Sequence, residues 1–196
     1  MRIKPEFRID DIDTARSIIR EHPFATLVTG DLCATHMPCL LDDATDELAV
    51  LGHVARADPV AESLDGPLLA VFHGPHGYVS ANWYATDTIP TWNHLTLHVR
   101  GCPTVLDDAL PVLRRTVDHF EASLPRPWSL QRMGETARTM ADEVLAFRLV
   151  AERWHAEAKL SQDKSPDERA RVRSGLEQPG PYVNPTLATL MRRFGA

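Results

Sequence analysis

Apolar residues recur every three or four positions in several stretches of the chain, which is the spacing of an amphipathic helix. Ile12, Ala15, Ile18 and Ile19 repeat in this way behind an aspartate-rich start, and Pro23 ends the pattern. Ser165-Pro166-Asp167-Glu168 has the form of a capping box with proline at the first helical position. These patterns predict helices over residues 11–22, 58–65, 110–124, 133–142, 165–176 and 186–193.

Stretches rich in β-branched and apolar residues predict strands between these helices. Residues 24–29 and 32–41 flank the turn residues Gly30 and Asp31, which indicates a hairpin. His73-Gly74-Pro75-His76 predicts a turn. Further strands are predicted over residues 47–55, 68–72, 78–80, 92–105 and 144–154. Strands at short spacing, joined mostly by turns, favour an antiparallel barrel or sandwich with added helices, an α+β fold, and we expect one domain over residues 1–196.

The composition narrows the class of protein. The chain has 196 residues, of which 43% are hydrophobic and 24% charged, as in an ordinary globular protein. A formal charge of −6 offers no general attraction to phosphate backbones, so we expect no nucleic-acid partner. The first residues lack the apolar core of a signal peptide, and prolines and glycines interrupt the longest uncharged stretch. We therefore expect a cytoplasmic protein without a membrane helix, whose three cysteines are buried thiols.

Residues 66–99 form an uncharged, aromatic and histidine-rich segment. Asp87 is its one charged residue, yet it holds five of the chain's 13 aromatic residues and four of its nine histidines. Such a stretch suits the wall of a pocket for a flat cofactor, or a subunit interface, because both bury large planar groups beside a few polar ones. Such a stretch is more often simply the core of a barrel. His94 and His98 lie about 13 Å apart along a strand and cannot bind one ion together.

Two short segments carry candidate binding chemistry. His53 shares a strand face with Leu51 and Ala55, and Arg56 follows three residues later. A single histidine on an apolar face is most often structural, but it also has the form of a haem ligand, with Arg56 as a partner for propionates or a flavin phosphate. One predicted loop, Lys159-Leu160-Ser161-Gln162, contains a cation, a hydroxyl and an amide within four residues. Such a loop is either simply solvated, or it binds an anion or a substrate. The common zinc-protease, nucleotide and hydrolase motifs are absent from the sequence.

Several motifs, in order along nearly the whole chain, resemble the PaiB-type family of FMN-binding negative transcriptional regulators, which is related to the split-barrel flavin proteins. The matching segments are Pro5-x-Phe7, residues 22–29, 36–38 and 52–59, Gly74-Pro75-His76-Gly77-Tyr78-Val79-Ser80, Pro90-Thr91-Trp92-Asn93 and Lys159-Leu160-Ser161-Gln162. The resemblance implies a split β-barrel and a homodimer with the cofactor near the subunit interface.

The family has both FMN-binding members and a haem-dependent branch, the piperazate synthases, which close an N–N bond in an N-hydroxylated ornithine. The loop of residues 85–89 is short and has no cation, unlike the lysine-bearing loop of flavin-type members, and a buried phosphate needs charged donors. This loop and Ala146-Phe147-Arg148-Leu149 resemble the haem branch. Asn82-Trp83-Tyr84 is closer to the flavin type. Ala158 replaces an aromatic residue that the family usually has before Lys159, a change that bears on the pocket in either branch.

These observations favour a haem-dependent enzyme that forms an intramolecular N–N bond, with haem b as cofactor. We expect His53 to be the axial metal ligand, and Tyr78, Ser80 and Lys159 are the candidate catalytic residues. The remaining predicted cofactor contacts are Arg56, Trp92, Asn93, Ser161 and Gln162. The alternative is an FMN-binding protein, either a redox enzyme or a regulator, in which Arg56, Trp92, Asn93 and Lys159 contact the flavin. A third alternative is a regulator without a catalytic cofactor, although Arg169, Arg171 and Arg173 share no helix face.

Overall fold

The computed structural model describes residues 4–195. In this range the helices are α1 (Ile12–Glu21), α2 (Leu110–Glu121), α3 (Thr136–Asp142), α4 (Pro166–Glu177) and α5 (Pro185–Arg193). The strands are β1 (Arg8–Ile9), β2 (Phe24–Thr29), β3 (Ala34–Pro38), β4 (Leu40–Leu41), β5 (Ala49–Ala55), β6 (Leu68–Val79), β7 (Thr91–Gly101), β8 (Thr104–Val105), β9 (Val144–Val150) and β10 (Arg153–Lys159). Short 3₁₀ helices occupy Pro5–Phe7, Pro59–Ser63, Ala81–Trp83 and Leu130–Met133.

The strands form two sheets, one of six strands in the order β1-β10-β7-β6-β2-β3 and one of four in the order β4-β5-β9-β8. Antiparallel pairing joins β1 to β10, β2 to both β3 and β6, and β9 to both β5 and β8. The predicted hairpin is present over residues 24–38, with Ala25 opposite Met37. The predicted antiparallel α+β class is thus confirmed.

The chain divides into two compact units. Unit 1 contains the described residues up to Ala15, His73–Leu97 and those from His155 onwards, and unit 2 contains Arg16–Phe72 and His98–Trp154. The expectation of a single domain over the whole chain stays a prediction.

In unit 2, β5 and β9 pair over seven residues, from Ala49 opposite Val150 to Ala55 opposite Val144. One face of β5 is buried, and Gly52 on that face has no room for a side chain. An added Cβ would lie 2.6 Å from Cζ of Phe147, which is itself fully buried. The other face of this strand pair carries Leu51 and Ala146, which belong to an apolar cluster with residues of α2 and α3. Packing on both sides therefore holds β5 in place.

In unit 1, β10 and the C-terminal helices supply many of the buried residues. Ala156 and Ala158 of β10, Val172 and Leu176 of α4, and Leu187 and Met191 of α5 are all buried. The predicted capping box begins α4: the Ser165 side chain accepts from the backbone N–H of Glu168, whose carboxylate accepts from the backbone N–H of Ser165. An added Cβ at Gly175 would lie 2.4 Å from the Trp83 indole, so this helix approaches Trp83 through a glycine.

The predicted turn at residues 73–76 is wrong, because β6 runs unbroken through it and joins the two strands predicted on either side. The glycines there serve close packing rather than chain reversal. An added Cβ would lie 2.8 Å from Cδ2 of Leu95 at Gly74, and 3.1 Å from Cδ2 of Leu187 at Gly77. Sequence alone does not separate these two uses of glycine.

Three predicted strands are each divided in the structure. Residues 32–41 form β3 and β4, which lie in different sheets. Residues 144–154 form β9 and the start of β10, because the chain turns at residues 151 and 152, where Glu152 N–H donates to the Arg100 carbonyl. Residues 92–105 form β7 and β8, which lie in different sheets. The 133–142 helix is shorter than predicted and begins at Thr136.

The expectation of three buried thiols holds only in part: the cysteines are free, but Cys39 alone is buried, Cys33 is partly exposed and Cys102 is exposed. Among the described residues, no helix combines the length and the apolar character needed to cross a membrane.

Candidate cofactor sites

A pocket of about 240 Å³ in unit 1 gathers three lysines, and we call it the lysine pocket. Its lining residues are Lys4, Phe7, Tyr84, Thr88, Ile89, Thr91, Asn93, Lys159, Ser161, Asp163 and Lys164. Three of these, Asn93, Lys159 and Ser161, are predicted site residues that the fold brings together. With three ammonium groups against one carboxylate, the pocket carries an excess of positive charge and suits an anion.

Polar contacts fix the interior of the lysine pocket. Lys159 Nζ donates to Thr91 Oγ1 at 2.5 Å, and Nδ2 of the fully buried Asn93 donates to Ser161 Oγ at 3.0 Å. Lys4 Nζ lies 3.5 Å from a carboxylate oxygen of Asp163. Burial raises the pKa of Tyr84, although a hydrogen bond from Ser161 opposes the shift, so the phenol stays protonated and can donate to an anion.

The loop after β10 has an unusual backbone that presents Ser161. Ser161 has φ of 68°, in the left-handed region that non-glycine residues rarely adopt. Gln162 holds this turn, since its side-chain oxygen accepts from Leu160 N–H at 2.7 Å and its amide donates to the Ala158 carbonyl. Gln162 therefore shapes the loop, and its predicted contact with a cofactor stays a prediction.

Trp92 and Tyr78 belong to an aromatic group in unit 1. Tyr78 meets Trp92 edge to face at 6.2 Å between ring centroids and packs at 4.7 Å against Tyr182. Trp92 remains 55% exposed, so part of its indole is open to a partner. The Ser80 side chain accepts from Asn82 N–H and begins the 3₁₀ helix at residues 81–83. The structure thus gives Ser80 a local structural role beside its predicted catalytic one.

His53 lies in unit 2 on β5, directly opposite the fully buried Ala146. The ring is half-buried on the face that also carries Leu51, as the sequence predicted, and its Nδ1 is buried without a hydrogen-bond partner among residues 4–195. Desolvation lowers the pKa of His53 below its ordinary value of 6.5, so the imidazole is neutral near pH 7. A neutral imidazole is the form that binds a metal.

Arg56 connects the end of β5 to α3. Its backbone N–H donates to the Glu143 carbonyl at 2.9 Å, and its Nε donates to the Asp142 carbonyl at 2.6 Å. The same polar cleft contains Asp107, Asp108 and Arg138. Arg56 therefore has a structural function within unit 2, and its predicted contact with a propionate or phosphate stays a prediction.

Sequence reasoning missed most of the lining of the lysine pocket, including Lys4, Tyr84, Thr91 and Lys164. Thr91 lies inside the Pro-Thr-Trp-Asn motif, so its position beside Trp92 and Asn93 was an available signal. Lys164 lies two residues after the Lys-Leu-Ser-Gln motif, which was a second available signal. Lys4 carried none, because only the fold brings its segment to the others.

The comparisons with known proteins agree with the fold. The family described as "Putative FMN-binding domain" matches residues 1–153. The protease synthase and sporulation protein PAI 2 of Bacillus subtilis (strain 168) is 25% identical over 185 residues, covering 90% of this chain and 89% of that protein. An uncharacterized protein of Emericella nidulans is 23% identical, covering 94% of this chain and 93% of its own.

Two solved structures share the architecture. The flavocytochrome Anf3 from Azotobacter vinelandii superposes with a TM-score of 0.65 at 13% identity, covering 86% of this chain and 78% of its own. The FAD and heme binding protein from Mycobacterium smegmatis has a TM-score of 0.55 at 15% identity, and the match covers 83% of this chain and 78% of that chain. The predicted split β-barrel is confirmed. Since the family match spans most of the chain, this protein belongs to the PaiB-type family of FMN-binding domain proteins.

Proposed function

We propose that this protein is a haem-dependent enzyme, in which His53 would hold the haem iron, and that it acts on a small N-hydroxylated diamino acid by intramolecular N–N bond formation. The observation that carries the proposal is the state of His53: a neutral, half-buried imidazole on a rigid strand, with a buried Nδ1 that has no partner in the described chain. The substrate class rests on the resemblance of the 85–89 loop and residues 146–149 to the haem branch.

The residues around His53 fit a prosthetic group better than a bare metal ion. Residues 4–195 contain no group of three or more histidine, cysteine, aspartate or glutamate side chains that could hold an ion. A porphyrin brings four nitrogen donors of its own, so a single histidine completes the coordination. Leu51 and Ala146 lie on the face of the sheet that carries His53 and belong to an apolar cluster, so the neighbours of the imidazole on that face have the low polarity that suits a flat, mostly apolar ring.

In the proposed reaction the N–N bond forms while the N–O bond of the hydroxylamine breaks, and the hydroxyl leaves as water with the proton of the attacking amine. No net oxidation or reduction occurs. A haem iron would supply Lewis acidity toward the N–OH oxygen. The attacking amine must lose its proton before it is a nucleophile, so a proton acceptor is required. Tyr78, Ser80 and Lys159 stay the predicted candidates, and a homodimer stays the expected assembly.

FMN binding is the second candidate, and the lysine pocket favours it. The sequence argument against a phosphate was that residues 85–89 carry no cation. In the structure, Thr88 and Ile89 of that loop line the lysine pocket together with Lys159 and Lys164. Other segments therefore supply the charge that the loop lacks, and the absence of a loop lysine does not count against FMN. A buried phosphate is stabilised by such charge-assisted donors.

The visible spectrum of the purified full-length protein distinguishes these candidates. A Soret band that is lost in His53→Ala supports the proposal, and a two-band flavin spectrum overturns it in favour of FMN. The spectrum of a colourless protein is measured again after incubation with haem and with FMN in turn. If neither cofactor then binds, the result overturns the haem proposal and supports the third alternative, a regulator without a catalytic cofactor. Formation of a cyclic hydrazine from N-hydroxyornithine, followed by mass spectrometry, tests the substrate class separately.

A further inference from the structure

Unit 2 contains a groove of about 500 Å³ that shares no lining residue with the lysine pocket or with the polar cleft at Arg56. It forms where β2 and β7 end and where β6 and β10 begin, so four strand ends and their turns make its walls. The apolar part of the lining consists of Val28, Leu32, Pro67 and Leu69, and the cationic part consists of Arg100 and Arg153. Its volume lies within the range of about 300–1,000 Å³ that is typical of small-molecule sites.

The apolar wall includes a side chain that the fold leaves almost fully in water. Leu32 is 82% exposed and has φ of 70° in the turn between β2 and β3, where its N–H donates to the Thr29 carbonyl at 3.0 Å. Asparagine or glycine would fit this backbone conformation with less strain, and neither would expose apolar surface. A ligand that covers Leu32 would remove that surface from water at about 25 cal/mol per Å².

The two arginines at the groove are available for an anion. Both are exposed, and among residues 4–195 neither Arg100 nor Arg153 has an ion-pair partner. The carboxylate of Glu152, which also lines the groove, accepts from the Cys102 backbone N–H at 3.1 Å and so caps the turn. The groove thus combines an apolar surface with a net positive charge.

We propose that this groove binds an amphipathic carboxylate, with an alkyl chain over the Leu32 wall and the carboxylate paired to Arg100 and Arg153. Charge complementarity selects this occupant, because guanidinium groups pair with carboxylates through two parallel hydrogen bonds. An apolar peptide would leave both arginines without a counter-charge. The proposal does not depend on which cofactor the protein binds.

The exposed thiol of Cys102 lines the groove and reports its occupancy. The experiment uses full-length protein carrying Cys33→Ser, with octanoate as the probe and iodoacetamide labelling followed by intact mass. Cys39 does not interfere, because burial raises its pKa to about 12. We expect octanoate at ten times its dissociation constant to slow labelling of Cys102 about tenfold. Octanol, which has the same chain without the charge, should bind about tenfold more weakly.

The double variant Arg100→Gln/Arg153→Gln is the matched test of the charge. Octanoate should bind at least about tenfold more weakly to it while octanol is unaffected, and circular dichroism checks that the fold is intact. The proposal is overturned if octanoate gives no protection at about 10 mM. Equal protection by octanol, or unchanged octanoate binding in the double variant, also overturns it. If Cys102 is protected without ligand and becomes reactive on dilution, a second copy covers the groove and the proposal is wrong.

Discussion

The lysine pocket and the His53 site differ in almost every physical respect. The pocket collects cations from segments far apart in sequence, and its central loop has Ser161 in a left-handed backbone conformation. His53 is one neutral ring on a regular strand that packs on both faces. The first arrangement suits an anion such as a phosphate or a carboxylate, and the second suits a metal that brings its other donors with it.

This difference shows why the sequence indicated the His53 site but only part of the lysine pocket. A strand alternates its side chains between two faces, so the position of His53 beside Leu51 and Ala55 follows from counting. The lysine pocket depends on where three non-adjacent segments meet. The lack of a positively charged residue in the segment 85–89 therefore indicated nothing about the charge of the pocket that this segment lines.

The largest expected effect is that of His53→Ala on haem binding. Removing the single imidazole should abolish the Soret band of haem-loaded protein, because no other described group is proposed to hold the iron. The absorption spectrum measures this directly. His119→Ala is the control, since His119 is exposed on α2 and should leave the band unchanged. An unaltered spectrum in His53→Ala would remove this residue from the site.

The second-largest effect is expected when two cations of the lysine pocket are replaced by neutral side chains. The double variant Lys159→Met/Lys164→Met should weaken FMN binding by roughly 10–100-fold, because two charged donors to a phosphate are lost. Flavin fluorescence titration measures the affinity. Riboflavin lacks the phosphate, so its binding should not change. Equal losses for FMN and riboflavin would show that the lysines do not contact a phosphate.

A third prediction concerns Asp42, a buried carboxylate that links β4 to β9 through Arg148 at 2.6 Å. Burial raises the pKa of Asp42, but the hydrogen bonds from Arg148 and Ala44 and the charges of Arg148 and Arg115 outweigh it, so the net shift is downward from 3.8. Asp42 therefore contributes stability that is present above pH 3.8 and is lost as the pH falls through its lower folded-state pKa.

Asp42→Asn should lower the free energy of unfolding at pH 7 by about 2 kcal/mol, because a charged hydrogen bond in the sheet that carries His53 is lost. It should also remove this part of the acid sensitivity below pH 3.8. Urea unfolding at pH 7 and below pH 3.8 measures both effects. Asp46→Asn is the control, because Asp46 is exposed. If the two variants have the same pH dependence, the Asp42–Arg148 pair does not act in this way.

The smallest expected effect is a difference in stability between two variants of Ser161, which separates the contribution of backbone strain from that of hydrogen bonding. Ser161→Ala loses the hydrogen bonds to Asn93 and keeps the left-handed backbone, whereas Ser161→Gly loses the same bonds and relieves the strain. The glycine variant should therefore be about 1 kcal/mol more stable than the alanine variant. Thermal or urea unfolding compares them. Equal stability would show that the loop is not strained.

Local patterns predicted much of the fold. The periodicity of α1, the capping box of α4 and the hairpin of β2 and β3 each depend on interactions within a few residues, so the sequence contains all the information they need. The unbroken β6 was missed for the opposite reason. Glycines that usually mark a turn are used at 74 and 77 to admit Leu95 and Leu187, which are distant in sequence.

By itself the sequence determined the antiparallel α+β class, the family and the face on which His53 lies, because these follow from periodicity and from ordered motifs. The tertiary structure alone decided that His53 has a buried Nδ1 without a partner among residues 4–195, and that Gln162 shapes its own loop. It also decided that Lys4 and Lys164 meet Lys159 beside Thr88. Desolvation and charge are sums over neighbours in space, and those neighbours come from segments that only folding brings together.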